Sequence, residues 1–249
     1  MRLKHRVSAA LLAAAIASLP AWSYKEKGSS EGQLVDSGAF GIFRQGRRVG
    51  TETFTIHQRP DVNVIVAQLN IDDGADKASQ TSDLRVASNG DLRHYEWKEL
   101  SPAKAQATVD YQDQFLVEHI TLTPGSKPVE RAFILPPSTV ILDDFFAHRE
   151  VLLWRYLATY CGAAISPQGC KLEPGKFGVF VPREQASTIV AVNYEGKDKV
   201  MFHGAERELA RFTLQPEDGA AWTLWVEASS PYKLLRILVP AEKVEVLRD

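Results

Sequence analysis

Asp144 to Tyr160 reads DFFAHREVLLWRYLATY, and this stretch decides the fold. It is the longest helix-period segment in the chain. With Phe146 set at zero and about 100° per residue, Leu153, Leu157 and Tyr160 fall within about 40° of it. Phe145, Leu152 and Tyr156 lie about 80–120° to one side, and Trp154 about 80° to the other. The apolar arc is therefore ~200°, far wider than the stripe of an ordinary surface helix. Only His148, Arg155 and Thr159, with Ala and Val between them, occupy the opposite side, which reads as the exposed one. Asp143 or Asp144 is the expected N-cap, and Gly162 the expected stop. Arg149 and Glu150 fall inside the apolar arc. Either Arg149 snorkels while Glu150 meets a basic residue at the sheet edge, or the two are polar anchors in an otherwise apolar pocket.

Around this helix the chain reads as strands. Ala39 to Gln45 and Val49 to His57 flank the turn Gly46-Arg47-Arg48. In the second of them Glu52, Phe54 and Ile56 alternate with Thr51, Thr53 and Thr55, a period of two. Val62 to Ile71 follows. Leu84 to Ala87 and Leu92 to Trp97 flank Ser88-Asn89-Gly90-Asp91, and Asn-Gly is the residue pair that a tight type I′ hairpin turn demands. Ala107 to Tyr111, Phe115 to Thr121 and Val129 to Leu135 complete the first set before Pro136-Pro137. After the helix come Phe177 to Val181, Thr188 to Tyr194, Val200 to His203, Glu206 to Leu214, Ala221 to Glu227, Leu234 to Val239 and Val244 to Leu247. Glu195-Gly196-Lys197-Asp198, Pro216-Glu217-Asp218-Gly219 and Ser229-Ser230-Pro231 read as turns. About 14 short strands so spaced make an antiparallel meander, and no repeat period points to a propeller or solenoid.

The late strands carry bulk on both faces. Trp222, Leu224 and Val226 share one face, and Thr223, Trp225 and Glu227 the other. A sheet solvated on one side alternates more cleanly, so something should cover the second face, and the helix is the obvious element. The expected fold is mainly β, of the α+β type. It is a large curved antiparallel sheet, or an open or half barrel, with one wide-faced helix on its concave face.

The ends and the cysteines speak to compartment. Arg2, Lys4, His5 and Arg6 precede an apolar run, Val7 to Leu19, too short to span a bilayer well. Ala21-Trp22-Ser23 supplies the small residues of a cleavage site. Residues 1–23 thus read as a secretory signal peptide, without a lipobox cysteine. A flexible polar leader is expected over 24–37 and a single β-rich domain over 38–249. A chain of this size buries about 70% of its unfolded surface. Cys161 and Cys170 are the two cysteines. In an exported chain they read as a structural disulfide, closing a loop of about 10 residues for ~2.5–3 kcal/mol. A periplasmic or secreted location follows.

Charge is nearly balanced, 29 basic against 31 acidic residues, with no basic stripe for nucleic acid. No nucleophile elbow, Walker loop, zinc-protease motif or dinucleotide fingerprint is present. Asp143, Asp144, His148 and Glu150 form the densest cluster of acid–base groups. Asp144 and His148 stand at i, i+4, but on the face that reads as exposed, while Glu150 points elsewhere. A cap beside a surface histidine explains them. Asp72-Asp73-Gly74-Ala75-Asp76 lacks the later Glu of a calcium loop. No catalytic residue, metal site or cofactor is expected.

The opening Gly46-Arg47-Arg48-Val49-Gly50-Thr51-Glu52, the Asn89-Gly90-Asp91-Leu92 hairpin and the wide-faced helix resemble the exported β half-barrel proteins of unknown function of Gram-negative bacteria. More distantly, the layout is similar to the LolA/LolB lipoprotein-carrier fold, a curved sheet closed by helices around an apolar cavity. The resemblance implies a periplasmic protein that shields acyl chains or docks envelope components. The chain departs from LolB in lacking a lipobox cysteine, and from LolA in offering one helix as a lid. The leading expectation is a non-enzymatic protein holding a lipid-like apolar ligand. Phe145, Phe146, Leu153, Trp154 and Leu157 from the helix, and Trp97, Trp222 and Trp225 from strands, are the candidate lining residues. The alternatives are an envelope scaffold with a solid core that binds a protein partner, and, third, a hydrolase or metal enzyme.

Overall fold

Two meanders share one pair of strands. The structure is a computed structural model that describes residues 32–74, 76–161 and 174–249. The first meander is β1 (Gln33–Arg44), β2 (Arg47–Gln58), β3 (Val62–Asp73), β4 (Asp76–Ala87), β5 (Leu92–Ser101), β6 (Gln106–Gln112), β7 (Phe115–Thr121) and β8 (Val129–Phe133). After it come β9 (Val140–Ile141) and the helix α1 (Ala147–Tyr156), which runs into a wider π turn, Leu157–Cys161. The second meander is β10 (Gly175–Val181), β11 (Ala186–Phe202), β12 (Ala205–Pro216), β13 (Trp222–Glu227), β14 (Leu234–Val239) and β15 (Val244–Arg248). Strands β1 and β15 pair antiparallel, which joins the two runs into one 15-stranded sheet with β8 at one edge and β9 at the other.

The sheet is curved and open, with no ladder between its edges. Side chains bridge the gap instead. The rings of Phe133 and Phe180 lie 4.6 Å apart. Gln185 Nε2 donates to Glu118 Oε2 at 3.0 Å, and the Arg183 guanidinium sits 5.2 Å from the Trp97 ring centre. The hollow is filled by one hydrophobic cluster that takes the inner residues of both meanders, such as Phe40, Phe54, Phe212 and Ile237, together with α1. The mainly β fold is thus present, with a single α-helix on the concave face among the described residues.

Several details differ from the sequence reading. The leader gives way to β1 at Gln33, within the span expected to be flexible; residues 1–31, and with them the expected signal peptide, lie outside the described residues. So do Gly162 and Cys170, the proposed stop and disulfide partner, whereas Cys161 is buried at the end of the π turn. Strand β11 runs unbroken through Glu195-Gly196-Lys197-Asp198. Gly196, at φ +105°, takes up a bulge rather than a reversal. Strand β9 pairs parallel to β10, the one departure from the antiparallel pattern among the described strands. Strand β4 extends back to Asp76 through residues too polar to read as strand.

The helix does not cover the outer face of the late strands. Trp225, Leu235, Phe202 and Leu209 form a second, separate cluster. The tip of the β11–β12 hairpin supplies its cover, held where His203 Nε2 donates to Arg248 O at 2.7 Å. A strand 17 residues long can reach past its own sheet neighbours and fold over them.

Candidate functional site

The helix begins at Ala147, three residues later than the pattern predicts, because its cap comes from the sheet. Asp143 Oδ1 accepts from Phe145 N at 3.2 Å, just ahead of the helix, and Asp144 turns away to Arg183. Glu52, on the inner face of β2, closes the first turn: its carboxylate accepts from Phe146 N at 2.6 Å and Ala147 N at 2.9 Å. The acceptor satisfies amides that a helix leaves open and meets the positive end of the dipole. Glu52 is fully buried, and that burial, opposed by the two amide bonds and by Arg149, pushes its carboxyl up to about 8. Beside it Arg149 Nη1 donates to Phe145 O at 2.5 Å, and its guanidinium stacks 4.6 Å from the Trp222 ring centre.

One turn on, Glu150 is also fully buried. Its Oε2 accepts from Leu234 N at 3.1 Å and faces Arg248 Nη1 at 3.5 Å. Arg248 Nη2 in turn holds Asp36 Oδ1 at 2.7 Å, where Lys233 Nζ also arrives at 3.0 Å. Burial first, then the hydrogen bond to Asp36 and its charge, raise the Glu150 carboxyl well above 4.5. Burial works against Asp36 too, yet the bonds from Glu150, Lys233 and Arg248 outweigh it and hold Asp36 below its ordinary range. The two neighbours are thus pushed in opposite directions, Glu150 toward its protonated form and Asp36 toward its ionised one. Arg149 and Glu150 are polar anchors, as one of the two readings had it, but what they anchor is the helix to the sheet.

The expected pairing of Asp144 with His148 is not formed. Asp144 turns to the surface and pairs with Arg183. His148 is buried, and its Nδ1 lies 3.1 Å from Asp143 Oδ1. Tyr95 donates its hydroxyl to Asp143, and Ser82 Oγ lies 3.4 Å from His148 Nε2. The order Ser82–His148–Asp143 is that of a nucleophile relay. Its geometry is that of a buttress: Nδ1 makes no aligned hydrogen bond to Asp143, and Ser82 does not reach the adjoining pocket.

A cavity lies on the flank of the helix opposite most of the expected lining residues. The side of α1 that reads as solvent-facing, His148, Val151, Arg155 and Thr159, lines a half-open cavity of about 290 Å³. Leu84 and Val86 of β4, Leu92 of β5 and Val140 and Ile141 of β9 form the opposite wall. The Asn89-Gly90 turn makes the rim. Gly90 adopts φ +85°, and Arg155 packs across it and donates to Gly90 O at 2.9 Å and Ser138 O at 3.0 Å.

Of the eight residues expected to line a ligand site, Trp154 reaches this cavity. Phe145, Phe146, Leu153, Leu157 and Trp97 are buried in the main core, and Trp222 packs against it. Trp225 belongs to the outer cluster. Among the described residues no three His, Cys, Asp or Glu side chains are placed to hold a metal ion. No helix among them is long and apolar enough to cross a membrane.

No protein-family model matches the sequence, and no curated protein does. One solved structure is similar: the beta-barrel-like protein of a domain of unknown function, DUF1849, from Brucella abortus. It superposes with a TM-score of 0.51 at 8% identity, covering 88% of this chain and 97% of that one. The likeness is one of fold: this chain has a β half-barrel architecture also found in a Gram-negative protein of unknown function.

Proposed function

We propose that the chain is an exported, non-enzymatic protein that binds a small apolar ligand between α1 and strands β3 to β5. The observation that carries this reading is the cavity of about 290 Å³. Natural cores leave few voids larger than a water molecule, and this one approaches the 300–1,000 Å³ range of small-molecule sites. Its walls are mostly hydrocarbon, its rim is polar, and it opens to the surface, the usual make-up of a ligand site. The apolar run of residues 7–19 followed by Ala21-Trp22-Ser23 supports export. Export would also favour a bond between Cys161 and Cys170, which would fix the end of the helix beside the pocket residues Ala158 and Thr159. The Ser82–His148–Asp143 chain lies behind the pocket and would hold the helix in place rather than attack a ligand.

Native mass spectrometry of protein purified from the periplasm, followed by organic extraction, tests the reading. A stoichiometric apolar adduct is expected, and its loss in Val151→Phe. Protein that is periplasmic but carries nothing, and takes up no apolar probe, would set the reading aside. A scaffold role has one observation in its favour, the exposed edge strand β8 with Leu122, Val129 and Ile134 projecting beside it. A photo-crosslinker at Ile134 in living cells would yield one discrete adduct on that view, and none otherwise.

A further inference from the structure

We propose that the ligand is a single-chain amphiphile with an anionic oxygen head group, its tail between α1 and β4 and its head on the Arg155 guanidinium. This rests on the ligand-binding reading and names the chemistry of that ligand. The cavity is graded in polarity. Its buried lining is mostly hydrocarbon, with Leu84, Val86, Leu92, Ile141 and Leu152. The lining residues that reach the surface, Ser88, Asn89, Ala158 and Thr159, mark the mouth, and three of the four are polar. Such a gradient suits a chain that enters tail first and leaves its polar end at the surface.

Arg155 sets the sign of the charge. It lines the cavity, and no Asp or Glu does so. Its Nη1 donates to Gly90 O at 2.9 Å and Ser138 O at 3.0 Å. Its Nε and Nη2 make no hydrogen bond among the described residues, and neither is sealed from solvent. The Asp91 carboxylate stays 3.9 Å from Nη2, too far to bond it. Burial holds the guanidinium below its ordinary value, and the charge of Asp91 offsets only part of that. The cation is therefore under-matched. Nε and Nη2 together form the fork that two oxygens of a carboxylate or phosphate fit. A neutral head would leave that fork to water, and a cationic head would be repelled by it. Size follows from volume. A cavity of 150 Å³ takes benzene, so about 290 Å³ suits roughly a dozen non-hydrogen atoms by the same scaling.

Isothermal titration calorimetry with decanoate, decyl phosphate, 1-decanol and decylammonium tests the proposal on the whole protein at neutral pH and low salt. Wild type should bind at least one of the anions about 5–20-fold more tightly than the alcohol, the worth of hydrogen bonds to a charged group discounted for partial exposure. The tighter anion tells carboxylate from phosphate. Arg155→Gln should bring the anions down to the alcohol, with 1-decanol binding unchanged to show an intact pocket. Asp91→Asn leaves both carbonyl bonds of Arg155 in place and removes the competing charge, so the anions should tighten about 2–5-fold while the alcohol does not. The alcohol or the ammonium binding wild type as tightly as either anion would overturn the inference while leaving the ligand pocket standing. So would an anion preference that survives Arg155→Gln. Should Arg155→Gln lose the alcohol as well, Asp91→Asn decides, and an unchanged anion affinity there overturns the inference. Failure of all four to bind wild type would overturn both.

Discussion

The two flanks of α1 are built on opposite principles. One flank, carrying Arg149, Glu150 and Leu153, meets β1, β2, β13, β14 and β15 through buried polar contacts. Glu52 closes the amides of the first turn, Glu150 meets Arg248 and Leu234 N, and Arg149 lies on Trp222. The other flank, with Val151, Arg155 and Thr159, stands off from β3, β4, β5 and β9 and leaves a cavity of about 290 Å³. A helix pinned so firmly on one side can stay under-packed on the other without sliding in to close the gap. The polar flank fixes the helix, and the other flank leaves the space that the proposed function assigns to a ligand.

The contrast can be broken first on the pinned side. Arg248→Ala leaves Asp36 ionised and buried with Lys233 alone, and should cost about 3–5 kcal/mol, as breaking a buried pair does. Urea unfolding at neutral pH reads this, and a cost under about 1 kcal/mol would mean the flank is not pinned as described.

Acidity probes the same flank. The Glu52 carboxyl rises from 4.5 to about 8 in the folded protein, so between those values the folded chain keeps a proton that the unfolded chain has released. Its contribution to stability is complete below about 4.5 and is lost as the pH climbs through about 8. Unfolding free energy should therefore fall by a few kcal/mol across that window, and Glu52→Gln should flatten the fall. Glu150, raised for the same reason of burial, leaves a residual slope of the same sign. An unchanged slope in Glu52→Gln would contradict the assignment.

Overpacking separates the flanks more finely. Leu153→Phe on the closed side should cost about 1–3 kcal/mol. Val151→Phe on the pocket side should cost about 0.5 kcal/mol or less, since the ring has a void to enter. Trp222 falls between these two. Replacing it with Leu removes a cation–π contact worth about 0.5–2 kcal/mol, and only part of that should appear in the unfolding curve.

The antiparallel meander was legible because β2 and β5 alternate in period two and Asn89-Gly90 marks its hairpin. Strand β4 was lost before Leu84 because its inward positions are Gln80 and Ser82, which serve as partners for Trp97 and His148. The signal for the cap was present and unread. Glu52 shares the inner face of β2 with Phe54 and Ile56, and a carboxylate on an apolar face implies a buried donor to meet it. The cavity beside α1 was illegible for a related reason. A polar edge on a helix looks the same in sequence whether it faces bulk water or a half-open cavity. Nothing local distinguishes His148 beside Asp143 from a histidine in solvent; only the arrival of β4 and β5, more than 50 residues away in the chain, does so.

The central claim is that the space beside α1 is a binding site. It is tested most directly by titrating an apolar ligand such as decane into wild type, Val151→Phe and Leu153→Phe side by side. The account predicts one site in wild type, lost in Val151→Phe at nearly unchanged stability and retained in Leu153→Phe despite its lower stability. Equal binding to wild type and Val151→Phe, or no binding to wild type, would contradict it.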